Sequence, residues 1–94
     1  MTGAERTARE VRVTGRVQGV GFRAWTAETA RGLGLTGWVR NEADGSVRAH
    51  LQGPPEAVAD MLERMARGPA SARVETRVVR ETMPEPTEGF DLRR

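Results

Sequence analysis

Glycines at 15, 19 and 21 and an arginine at 23 crowd into one stretch, Gly15-Arg16-Val17-Gln18-Gly19-Val20-Gly21-Phe22-Arg23. Those residue types suit one kind of chemistry, the holding of an anion. Backbone N–H groups of a concave loop, together with the unpaired donors of a first helical turn, point at one spot. Glycine lets the main chain approach a ligand and take positive φ where a turn needs it. Arg23 adds a planar, permanently charged fork that matches phosphate oxygens. On spacing alone, the commoner meaning of such glycines is a tight strand–helix connection beside a solvated arginine. The stretch is not a Walker loop, because no Gly-Lys-Ser/Thr follows and the chain has no lysine. Nor is it Gly-x-Gly-x-x-Gly, since Ala24 stands at the third glycine position.

Other chemistry is scarce. With no cysteine there is no thiolate nucleophile, thiolate metal site or disulfide. The single histidine, His50, falls in mid-strand, where a half-exposed pairing residue is expected, and one imidazole is a poor start for a metal cluster. Ser46 and Ser71 lie in turns with no histidine to activate them. Glu42 and Asp44 could serve as bases or ligands, but carboxylates in a hairpin are more often turn formers. Asn41, just before that hairpin, is either a turn cap or an amide able to hold a water beside a bound phosphoryl group.

The elements that must position these residues follow from periodicity. Residues 1–9 are polar and without period, and a disordered tail is expected there. Glu10 to Val17 alternates through Val11 and Val13 as strand one. Phe22 to Leu33 fits a helix with Phe22, Trp25, Thr29 and Leu33 on one flank and Ala30 beside them. Thr36–Asn41 and Ser46–Gln52 read as a hairpin around Asp44-Gly45. Val58, Met61, Leu62 and Met65 fall at i, i+3, i+4 and i+7, a second helix between Pro54-Pro55 and Gly68-Pro69. Arg73–Glu81 alternates as a fourth strand. Phe90 and Leu92 suggest a short last one after a Pro/Glu-rich connection. The order β-α-β-β-α-β and two singly apolar helices predict an α+β, ferredoxin-like sandwich, an antiparallel sheet with both helices on one face. Met61, Met65, Leu33 and Leu62 belong to its core. Strands one and two, joined by a parallel crossover, would then bring Asn41 to the glycine loop.

Ninety-four residues, 37% hydrophobic and 30% charged, make one small domain, here 10–94. No apolar run reaches membrane-spanning length and no signal-peptide core precedes Glu10, so a cytoplasmic protein is expected. The net charge is only +2, and the fifteen basic residues, all arginine, are interleaved with acids. That favours local anion handling over a nucleic-acid stripe.

The run Val13 to Arg23, with Gly37-Trp38-Val39-Arg40-Asn41 and then Gly45, Val47 and Gly53, resembles the two long motifs of the acylphosphatase family, and the likeness spans about Glu10 to Arg93. The family fold is the same βαββαβ sandwich. The resemblance implies hydrolysis of the carboxyl–phosphate anhydride of acyl phosphates, without cofactor, metal or phosphoenzyme. It implies phosphate binding by the loop of Arg16, Val17, Gln18, Gly19, Val20, Gly21 and Phe22 with Arg23, and an attacking water oriented by Asn41. The catalytic residues are then Arg23 and Asn41. The partners implied are a small acyl phosphate and inorganic phosphate as product and inhibitor, for a monomer that binds neither nucleic acid nor membrane. Glu42, directly after Asn41, and the Arg93-Arg94 end depart from some relatives. The alternative is a non-catalytic or regulatory module that binds phosphate or carbamoyl phosphate, as in the acylphosphatase-like domain of hydrogenase maturation enzymes. A ferredoxin-like RNA binder is disfavoured, because only Phe22, Trp25, Trp38 and Phe90 are aromatic and two of them fall on a helix.

Overall fold

A computed structural model describes residues 6–94. The chain runs β1 (Thr7–Arg16), α1 (Phe22–Gly32), β2 (Thr36–Asn41), β3 (Val47–Gly53), α2 (Pro55–Arg67), β4 (Arg73–Glu81) and β5 (Phe90–Leu92). The strands form one sheet in the order β4-β1-β3-β2-β5. The first four make the expected antiparallel ladders. The sheet as a whole is mixed rather than antiparallel, because β5 joins β2 in parallel. The stretch from Thr82 to Gly89 carries the chain from β4 at one edge of the sheet to β5 at the other.

Strand β1 begins earlier than the alternation of valines suggests. Thr7, Ala8 and Arg9 pair with Gly53, Gln52 and Leu51, so the end of the expected tail is strand. Its backbone ladder, not an apolar pattern, extends the element, and only Ala8 there is buried. The expectation for residues 1–5 lies outside the described residues.

Both helices cover the same sheet face. Val11, Val13, Val39, Val47, Ala49 and Leu51 meet Phe22, Ala27, Ala30, Val58, Met61 and Met65 in one cluster, and all are almost fully buried. Each large side chain among them contributes about 1.5–3 kcal/mol by leaving water. In α2, Pro55 opens the first turn, Glu56 lies at its positive end, and Arg64 and Arg67 lie at its negative end. The buried stripe of α1 is Phe22, Thr26, Ala27 and Ala30, rotated from the expected flank. Small side chains at 27 and 30 let the helix sit close to the sheet, while Trp25 leans on Phe22 at the margin, ring centroids 5.4 Å apart. Leu33 and Leu62 likewise pack at the edge of the core and are only partly buried.

His50 is the clearest departure from expectation. It is 1% exposed, not half-exposed. Its ring stacks on Trp38 at 6.2 Å, and Nε2 lies 2.8 Å from Gln52 Oε1. The connection before β5 lies against this cluster: Glu85 N–H donates to Gln52 Oε1 and Gln52 Nε2 donates to Glu85 O, at 2.7 and 2.9 Å. A segment far along the chain thus covers what a single strand's alternation would leave open.

Topology fixes the one relation on which a site depends. Val47 of β3 pairs with Val13 on one side and with Asn41 on the other. Strands β1 and β2 therefore end at the same edge of the sheet.

Candidate active site

The loop from Val17 to Gly21 leaves that edge and enters α1. A register shift between Thr14 and Gly15 turns β1 toward it. There the backbones crowd: a Cβ at Gly15, where φ is 121°, would lie 2.2 Å from Arg73 O. Gly21 caps α1 in the left-handed region, φ 81° and ψ 15°, where a side chain would be strained. Two loop carbonyls have partners elsewhere. Ser71 Oγ donates to Val20 O at 2.8 Å, and Trp25 N–H to Gly21 O at 3.0 Å. Among the described residues, no N–H from Val17 to Gly21 donates to a protein acceptor. The first turn of α1 carries no acidic residue. Its unpaired donors and positive dipole end therefore remain available to an anion.

Arg23 stands in that first turn. Its Nη1 donates to Arg93 O at 2.6 Å, just beyond β5, which fixes the guanidinium over the loop. No carboxylate pairs with it among the described residues. Asn41, at the end of β2, contributes a side-chain oxygen that is buried and has no hydrogen-bond partner. A buried acceptor left unpaired costs about 1–3 kcal/mol, so it marks a place where something polar belongs. Val17, Gly19, Gly21, Phe22, Arg23, Ala24, Asn41 and Leu92 line a pocket of about 170 Å³.

The structure thus brings Arg23, Asn41 and most of the glycine loop together around one space. Three residues of the expected phosphate set lie outside the lining. Arg16 is exposed and pairs with Arg73 in the β1–β4 ladder. Val20 packs against the core. Gln18 turns its side chain to the β2–β3 turn, where Nε2 donates to Glu42 O and Ser46 O at 2.8 and 2.9 Å. Leu92 and Ala24 were not singled out by residue type. Only the pairing of β5 with β2, invisible in a three-residue strand, brings Leu92 to the site.

The carboxylates near Asn41 are occupied. Glu42 accepts from Arg40 Nε at 2.6 Å and does not line the pocket. Asp44 accepts from Ser46 N–H at 2.9 Å and Ser46 Oγ at 2.6 Å, and pairs with Arg12. The Ser46 hydrogen bonds, with Arg12 in support, hold its pKa down to about 2. These groups shape the turn rather than the pocket.

Known proteins resemble the chain over most of its length. The family model for acylphosphatase matches residues 9–92. A curated acylphosphatase of Rhizobium etli is 59% identical over 78 residues, covering 79% of this chain and 83% of its own. One from Salinibacter ruber is 50% identical over 94 residues, 99% of this chain and 98% of its own. The solved structure of an acylphosphatase from Coxiella burnetii superposes with a TM-score of 0.92 at 34% identity, covering 99% of this chain and 100% of that one. A match running from β1 through β5, with relatives at least half identical over most of its length, means that the chain belongs to the acylphosphatase family.

Proposed function

We propose that this hydrolase of acyl phosphates works by positioning and charge stabilisation alone, with Arg23 and the loop amides on the phosphoryl group and Asn41 on the attacking water. The phosphoryl oxygens occupy the concavity of the Val17–Gly21 loop and the first turn of α1. The Arg23 guanidinium, steadied by Arg93 O, meets the charge that spreads over the equatorial oxygens in a loose transition state. Asn41 Oδ1 accepts a hydrogen bond from a water and aims its lone pair at phosphorus. The water oxygen bonds to phosphorus as the phosphorus–oxygen bond to the acyl group breaks. The acyl group leaves as carboxylate, and the water's proton passes to solvent as inorganic phosphate forms. An anhydride has a good leaving group, so no strong base is required.

The observation that carries this reading is that Asn41, whose buried Oδ1 has no partner, lines the same pocket as Val17, Gly19 and Gly21 of the loop with unpaired amides. The test is hydrolysis of benzoyl phosphate in the presence of a chelator, with inorganic phosphate as competitor. Turnover unaffected by chelation and competitively inhibited by phosphate is the expected result. Phosphate binding without turnover of any acyl phosphate would favour a regulatory binding module instead.

A further inference from the structure

We infer that Leu92, with Ala24 of the same pocket lining, forms a subsite for the acyl end of the substrate, and that this subsite takes an apolar acyl group. This rests on the hydrolytic reading above and says which acyl phosphates it favours.

The polar members of the lining, the loop amides, Arg23 and Asn41, are all used on the hydrolytic reading by the phosphoryl group and the water. What remains of the lining is apolar: Val17, Phe22, Ala24 and Leu92. Val17 and Phe22 are almost fully buried and belong to the floor. Ala24 and Leu92 are exposed and stand at the mouth, Leu92 at 44% exposure. A lone exposed leucine is ordinary, but this one is held in place. Leu92 pairs with Val39 in the parallel β2–β5 register. The next residue is pinned on both sides, since Arg93 N–H donates to Val39 O at 2.8 Å and Arg93 O accepts from Arg23. The same backbone that steadies the guanidinium therefore presents an apolar side chain beside it.

The neighbouring Arg93 charge is turned away from this wall. The Arg93 side chain lies over the Trp38 ring, 4.9 Å from its centroid, on the opposite side of the strand from Leu92. No acidic residue lines the pocket. An acyl group extending from the phosphoryl site past Leu92 and Ala24 gains by burying carbon, and with Arg23 engaged on the phosphoryl group it meets no further charged side chain in the lining.

The experiment compares kcat/KM for acetyl, butyryl, hexanoyl and benzoyl phosphates in the wild-type protein and in Leu92→Ala and Leu92→Met. In the wild type, kcat/KM rises with apolar size. Leu92→Ala lowers it about tenfold for benzoyl phosphate and less than about twofold for acetyl phosphate. Leu92→Met, which keeps the apolar surface, retains the preference, and the inhibition constant of inorganic phosphate is unchanged throughout. A flat wild-type series overturns the subsite without any variant having to fold. An equal loss on acetyl and benzoyl phosphates in Leu92→Ala also overturns it, by reducing Leu92 to a prop for Arg23. Failure of the wild type to hydrolyse any of the four would instead refute the hydrolytic reading itself.

Discussion

Two turns flank Asn41, and they are built on opposite plans. In the Val17–Gly21 loop the N–H groups are left without protein partners while the carbonyls of Val20 and Gly21 are bound on the far side. In the 42–46 turn nearly everything is paired. Glu42 N–H donates to Ser46 O, Gly45 N–H to Glu42 O, Ser46 N–H to Asp44, and the Glu42 carboxylate accepts from Arg40. On the proposed reading, the first turn is open because it is a binding surface. The second is closed because it holds one side chain still. Gln18 joins them, rooted in the open loop and bonded by its amide to two carbonyls of the closed one. Gly19 and Gly21 are exposed, so the open plan carries no burial cost: water can occupy its N–H groups until an anion takes its place.

Removing the charge from the open turn should break the site most completely. Arg23→Ala is expected to lose at least on the order of 10³ in kcat/KM, by comparison with arginines that stabilise transferring phosphoryl groups. Arg23→Lys should recover little, because an ammonium cannot make both the bond to Arg93 O and a fork on phosphate. Steady-state kinetics of both variants decide it. Near-normal turnover in Arg23→Ala would mean that the amides alone suffice. Asn41→Ala comes next. It leaves the anion cradle intact, so kcat should fall by about 10² while KM and phosphate inhibition move little. A rise in KM as large as the fall in kcat would make Asn41 a binding residue instead.

Much of this comparison could be read before any coordinates. The open turn was legible because glycine at 19 and 21 beside Arg23 has a local cause, and because Asn41 closes a strand whose partner is only a hairpin away. The closed turn was legible only in part. Asp44-Gly45 marks a hairpin, but Gln18 gives no sign in sequence that its amide reaches residues 42 and 46. Its assignment to the phosphate came from its place in the motif. His50 failed for a related reason. Alternation along β3 puts it on the helix-free face, and nothing local says that Trp38 and the connection around Glu85 cover that face. Leu92 and Arg93 depend on β5 pairing in parallel beyond β2, and three residues cannot announce a register. Local turns and strand ends were readable; long-range closure was not.

Gln18→Ala sharpens the contrast, since it separates the two turns while leaving each intact. Both carbonyls that lose Gln18 keep a backbone partner, Gly45 N–H for Glu42 O and Glu42 N–H for Ser46 O. The loss should therefore be modest, about 1–3 kcal/mol of stability for two hydrogen bonds. Its catalytic signature is more telling. If Gln18 serves the closed turn, kcat falls several-fold through a less fixed Asn41, and phosphate inhibition stays as it was. If its side chain served the anion, inhibition by phosphate would weaken together with kcat, and the two turns would share a single task.

The smallest effect belongs to Asp44, and pH reaches it. Its carboxylate is exposed and salt-screened, so its worth is slight, but its direction is fixed. The folded pKa of about 2 lies below the ordinary 3.8, so the ionised form is the one the fold prefers. That contribution is fully present above pH 3.8 and is lost as pH falls through about 2. Asp44→Asn keeps the shape, though not the charge, and cannot titrate. The melting temperature of the wild type should exceed that of Asp44→Asn at pH 5, and the gap should shrink markedly by pH 2. An undiminished gap at pH 2 would mean that the Ser46 and Arg12 contacts act through shape rather than charge. The closed turn would then owe its rigidity to its backbone ladder alone.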